Sequence, residues 1–96
     1  MSSKDYPAGV LRVWDNGGRS IDRYMVVFTP YLLDGQKVYF YLAMSASPSW
    51  GFAQHGELRR FPYKGSDKSI LFAELPEACR LLVLYDLKQF LEITNG

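Results

Sequence analysis

Residues 37–44 alternate cleanly: Val38, Phe40, Leu42 and Met44 fall on one face of an extended chain, and Tyr39, Tyr41 and Ala43 on the other. Successive strand side chains point to opposite sides, so this pattern predicts a strand with one face in the core. The first face is expected under a helix and the tyrosines on a wetter face. An earlier, shorter strand is predicted over 9–14, with Val10, Arg12 and Trp14 on one side and Leu11 and Val13 on the other. Asp15-Asn16-Gly17-Gly18 comes next as a turn signal. Asn-Gly accepts the positive φ of a tight two-residue reversal, which returns the chain antiparallel. The returning strand is expected over 21–29, where Tyr24, Val26 and Phe28 oppose Met25 and Val27. Apolar residues on both of its faces predict a central strand covered on both sides. Pro30 lacks a ladder donor and ends it. Leu33-Asp34-Gly35-Gln36 is the next turn, with Asp-Gly at its centre.

The second half of the chain is less regular. Residues 45–56 read as a long connection carrying Pro48, Trp50, Phe52, Gln54 and His55; connections of that length are more often functional than decorative. A fourth, edge-type strand is expected over 57–63, where Arg59, Arg60 and Pro62 suit an edge. A polar turn is expected over 64–69 and a short extended piece over 70–73. Leu75-Pro76-Glu77 then opens a helix, because proline suits the first turn and glutamate complements the helix dipole. The helix is expected to reach Leu91, with Leu75, Cys79, Leu82, Val83, Leu87 and Phe90 on one stripe. The expected architecture is α+β: a three- to four-stranded, mostly antiparallel sheet with one C-terminal helix packed across one face. The length implies a single domain over 1–96.

Composition sharpens this in three places. Aromatic residues reach 16%, enough for an aromatic core with some tyrosine left for a binding surface. Eleven Lys and Arg against ten Asp and Glu give a net charge of +1, so no field steers the chain toward nucleic acid or an anionic membrane. The single cysteine, Cys79, excludes an intramolecular disulfide and a multi-thiolate zinc site. No apolar run approaches a membrane span, and residues 1–5 lack the apolar segment of a signal peptide. A cytoplasmic protein is expected.

The candidate chemistry centres on the lone histidine. His55 lies between Gln54 and Glu57 with Gly51 and Gly56 at its flanks. A histidine beside a carboxylate can act as a general base, and glycine lets a ligand approach backbone. The plainer alternative is a histidine that pins its loop by a hydrogen bond. No nucleophile motif accompanies it. Cys79 could pair with His55, yet it lies on the apolar stripe, where free cysteine behaves as a small hydrophobe. Asp15, Asn16 and Asp22 are oxygen donors near a turn without calcium-loop spacing. No metal site and no cofactor is expected. Arg59, Arg60, Phe61, Tyr63, Lys64 and Lys68 interleave basic and aromatic residues as single-strand binders do. A solvated edge strand explains the same charges.

Two helix features break the pattern. At 100° per residue, Asp86 falls inside the apolar stripe. A buried carboxylate needs a partner, and Arg23, Arg12, His55 and the backbone amides of the long connection are the candidates. Leu81 and Leu84 fall on the opposite, outward face, which hints at a contact.

Asn16-Gly17-Gly18, Asp22-Arg23-Tyr24, Leu42 with Met44-Ser45, Gly51-Phe52 with Gln54-His55-Gly56-Glu57, and Leu75-Pro76-Glu77 with Cys79 occur in fixed order. In these elements the chain resembles a group of small uncharacterised bacterial and bacteriophage-type proteins. The resemblance implies a compact fold and assigns no catalytic or binding residue. Three functional readings stand side by side. The first is a protein-interaction module, an accessory, adaptor or inhibitor protein, with a protein partner or homodimer contacted through Leu81, Leu84, Tyr39 and Tyr41. One version of it is a phage- or mobile-element-encoded inhibitor of a host system. The second is a small-molecule-binding protein or enzyme using Trp50, Phe52, Gln54, His55 and Glu57. The third is a nucleic-acid-binding module using Arg59 to Lys68, which the near-neutral charge disfavours. No membrane partner is expected.

Overall fold

The computed structural model describes residues 6–47, 53–62, 65 and 67–95, with side chains through residue 89. Among the described residues six strands precede one helix: β1 (Val10–Asp15), β2 (Tyr24–Phe28), β3 (Tyr31–Leu33), β4 (Gln36–Met44), β5 (Ala53–Leu58) and β6 (Lys68–Ile70). A 3-10 turn (Phe72–Glu74) leads into α1 (Glu77–Asn95). All pairings are antiparallel. Across the sheet the strands run β5, β4, β2, β1, β6, and β3 pairs with the first residues of β4. The fold is α+β as expected, but six strands replace the expected three or four. The short strands β3 and β6 hold too few residues to show alternation, and only their ladder partners make them strands.

The two turn signals resolve differently. Asp34 and Gly35 take φ of 52° and 79° and join β3 directly to β4, as a two-residue hairpin with positive φ at both positions requires. The Asn-Gly reversal is not a two-residue turn. β2 starts at Tyr24 rather than at 21, and residues 16–23 form a loop built around Asn16. Asn16 Oδ1 accepts from the Gly18 and Arg19 amides at 2.8 and 3.0 Å. Asn16 Nδ2 donates to Ser20 Oγ at 2.9 Å and to the Asp22 carbonyl at 3.1 Å. Short polar side chains satisfy loop backbone in this way, so the chain need not pair at once.

α1 lies across one face of the sheet. Leu75, Cys79, Val83 and Leu87 are buried against Val10, Val13, Tyr24, Val26, Phe28, Leu42, Met44 and Ile70. Leu82 is half-buried at the margin of this cluster, and the side chain of Phe90 lies outside the described residues. A register shift between Val10 and Arg12 moves Val10 to the same face as Val13. That corrects the strict alternation expected for 9–14, because a bulge adds one residue and re-aims the side chains beyond it.

The other face is also covered. Val26 and Val27, adjacent and oppositely directed, are both fully buried, so β2 is the central strand that its two apolar faces predicted. Cover on this side comes from Phe61, whose ring lies 5.5 Å from Trp14 and 5.9 Å from Tyr39. Phe61 follows β5 closely and sits over this face, between β4 and β1. Tyr39 and Tyr41 are therefore half-buried, drier than expected. Among the described residues no helix is long and apolar enough to cross a membrane.

Candidate functional site

The expected long connection over 45–56 is shorter than its sequence suggests. Residues 48–52, which include Trp50 and Phe52, lie outside the described residues, and β5 begins at Ala53. Gln54, His55 and Glu57 are thus strand residues, and the strand expected over 57–63 is displaced toward the N-terminus. The 53–58 segment has no alternation of its own; pairing with β4 imposes its structure. Ala53 lies opposite Met44, His55 opposite Leu42, and Glu57 opposite Phe40. Directly opposed residues share a face, so His55 and Glu57 lie on the helix side and Gln54 on the other. The three polar residues do not converge.

Convergence comes instead from the helix. Asp86 is the carboxylate that falls within the apolar stripe, and its side chain is 15% exposed. His55 Nε2 donates to Asp86 Oδ2 at 2.6 Å. Of the three side chains expected as partners for Asp86, the histidine is the one in contact. Arg12 is exposed, and Arg23 is engaged elsewhere: its Nε and Nη2 donate to the two Asp15 oxygens at 2.8 and 3.2 Å. The Arg23 guanidinium holds the Asp15 carboxyl below its ordinary range, against the opposing effect of partial burial.

Beside the His55–Asp86 pair lies a cleft of about 250 Å³. Phe28, Phe40, Tyr41 and Gly56 border it from the sheet, and Asp86 and Gln89 from the helix. Phe28, Phe40 and Gln89 were not candidates from the sequence, where the two phenylalanines read as strand positions on an apolar face. Gly56 is required here. A Cβ at that position would come within 2.4 Å of the Tyr41 ring.

A second hollow, on the far face of the sheet, is bordered by Asn16, Asp22, Arg23, Gln54 and Asp67. Its charged groups Arg23 and Asp67 are already matched, by Asp15 and by Arg19. Among the described residues no group of three or more His, Cys, Asp or Glu is placed to hold a metal ion.

Cys79 does not join His55. Its Sγ is buried and donates to the Ser45 carbonyl at 3.3 Å, and burial pushes the thiol up to about 11. A thiol so raised is a poor nucleophile at neutral pH. In the basic stretch, Arg59, Arg60 and Lys68 are exposed, and Phe61, 39% exposed, packs on Trp14 and Tyr39. Tyr63 and Lys64 lie outside the described residues. Leu81 and Leu84 are 61% and 45% exposed on the outer side of α1, and Tyr85 beside them is 60% exposed. Tyr39 and Tyr41 belong to the far side of the sheet, so tyrosines and leucines do not share one surface. No protein-family model, curated protein or solved structure matches the chain.

Proposed function

We propose that this protein is a cytoplasmic protein-interaction module that presents the outer face of α1 to another polypeptide, most simply a second copy packed about a twofold axis. The observation that carries this reading is the exposed trio Leu81, Leu84 and Tyr85. These positions are spaced i, i+3 and i+4, so they are neighbours on one helix surface. Scattered exposed apolar residues are ordinary, whereas a contiguous group suits a contact. The inner stripe of α1 already packs on the sheet, which leaves this group for a surface outside the fold. Most small homo-oligomers close about twofold axes, where one patch meets itself. The near-neutral charge argues against a nucleic-acid role. The bacteriophage-type resemblance adds one concrete version, an inhibitor that occupies a host protein through the same helix.

The test is the mass in solution. Light scattering or sedimentation on the wild-type chain is expected to show a dimer. Leu81→Glu with Leu84→Glu is expected to give a folded monomer. A wild-type chain that stays monomeric at high concentration removes the self-association, and a heterologous partner indifferent to the double change removes the surface altogether.

A further inference from the structure

The protein-interaction reading makes no use of the cleft beside His55. We propose that this cleft binds a neutral one- or two-ring molecule bearing a hydroxyl or N–H, and that His55 Nδ1 accepts that hydrogen.

Size sets the first limit. The cleft measures about 250 Å³. A dry cavity of roughly 150 Å³ admits benzene, and sites for drug-sized molecules begin near about 300 Å³. One ring, or two fused rings, fills the interval. Lining sets the second. Phe28 and Phe40 make the helix-side lining apolar, with the Phe40 ring already stacked on Tyr31 at 5.1 Å, and such a lining takes an uncharged ring more readily than an ion.

The polar pair then selects the functional group. An ionised carboxylate only accepts hydrogen bonds, so Asp86 fixes the imidazole with its hydrogen on Nε2. A neutral imidazole held that way has its lone pair on Nδ1. Among the described residues no hydrogen bond engages Nδ1, and the side chain is 64% exposed, so a ligand reaches it without opening the core. Asp86 is the carboxylate of the lining, and it repels an anionic ligand at close range. A neutral donor meets the acceptor without that penalty. The site adjoins the outer group, since Gln89 lies i+4 from Tyr85 on α1, so the Leu81→Glu with Leu84→Glu variant, which keeps every lining residue, separates its occupancy from self-association.

The test titrates the full chain with phenol, indole, toluene, benzoate and benzylamine, tracking backbone amide shifts of Gly56 and Gln89 by NMR. Phenol and indole are expected to saturate those shifts. Toluene, which keeps the ring and lacks the donor, is expected to bind roughly tenfold more weakly, and benzoate not to saturate. His55→Phe is expected to bring phenol down to the level of toluene while leaving toluene unchanged. Equal binding of phenol and toluene to the wild type overturns the role of His55. Tighter binding of benzoate or benzylamine overturns the neutral-donor assignment. Absence of saturable shifts with every ring compound overturns the site. The wild-type ranking alone decides the matter if the variant does not fold.

Discussion

Tyr41 and Gly56 face each other across the β4–β5 ladder, and the tyrosine ring occupies the space a side chain at 56 would need. The aromatic face of β4 is thus closed over the edge strand by a residue that supplies nothing but room. The same glycine borders the cleft on the other side, so one absent side chain serves both faces of β5.

Gly56→Ala is therefore expected to displace the Tyr41 ring and lower stability by roughly 1–3 kcal/mol, the usual range for overpacking. Tyr41→Ala in the same background is expected to make the Gly56→Ala change nearly neutral. Denaturant midpoints for the two single variants and the double variant measure this. Strictly additive losses would show that the two positions do not touch.

The loop over 16–23 depends on Asn16, which accepts two backbone amides and donates twice. Asn16→Ala is expected to lower stability by about 1 kcal/mol. Gly17 has φ of 78°, and Gly17→Ala is expected to cost about 1 kcal/mol or more for the left-handed backbone. Unchanged midpoints for both variants would mean that the β1–β2 connection is built differently.

His55 and Asp86 make a short hydrogen bond at a rim where the histidine is largely exposed. A single hydrogen bond of that kind contributes about 0.5–1.5 kcal/mol. A double-mutant cycle with His55→Gln and Asp86→Asn is expected to give a coupling in that range, with every variant folded. Loss of the fold in His55→Gln would make this pair part of the framework and not an element of a site.

Cys79 supplies a pH dependence with a definite sign. Burial raises its thiol from 9.0 to about 11 in the folded chain. Between those values the unfolded thiol releases its proton and the folded one retains it, so ionisation favours unfolding there. Stability attributable to this group is complete below pH 9 and is lost as pH rises toward about 11. In the native protein at pH 8, alkylation by iodoacetamide is expected to be slow and to track the unfolded fraction. Rapid labelling without unfolding would contradict the buried position.

The sequence by itself determined the features that local chemistry controls. The alternation of 37–44 specified β4 almost to its ends, because one face had to be apolar for any core to form. The doubly apolar stretch of β2 specified a central strand, and Asp34-Gly35 specified a tight turn that few other residue pairs allow. The helical wheel located Asp86 as an ionisable group on the wrong face and Leu81 and Leu84 as apolar groups without inner partners. Each of these signals lies within one element, where periodicity and dihedral preference act.

The features that only the tertiary structure decided depend on pairing between elements. Residues 53–58 have no strand pattern, and β4 makes them a strand by offering an unpaired edge. That edge places His55, and not Arg23 or Arg12, against Asp86. The position of Phe61 over the sheet makes it packing for Trp14 and Tyr39, a role its place in a basic stretch did not announce. The cleft itself belongs to no segment. Phe28 comes from β2, Phe40 and Tyr41 from β4, His55 and Gly56 from β5, and Asp86 and Gln89 from α1. A space between four elements has no sequence signature, because it is defined by the distances at which their backbones are held.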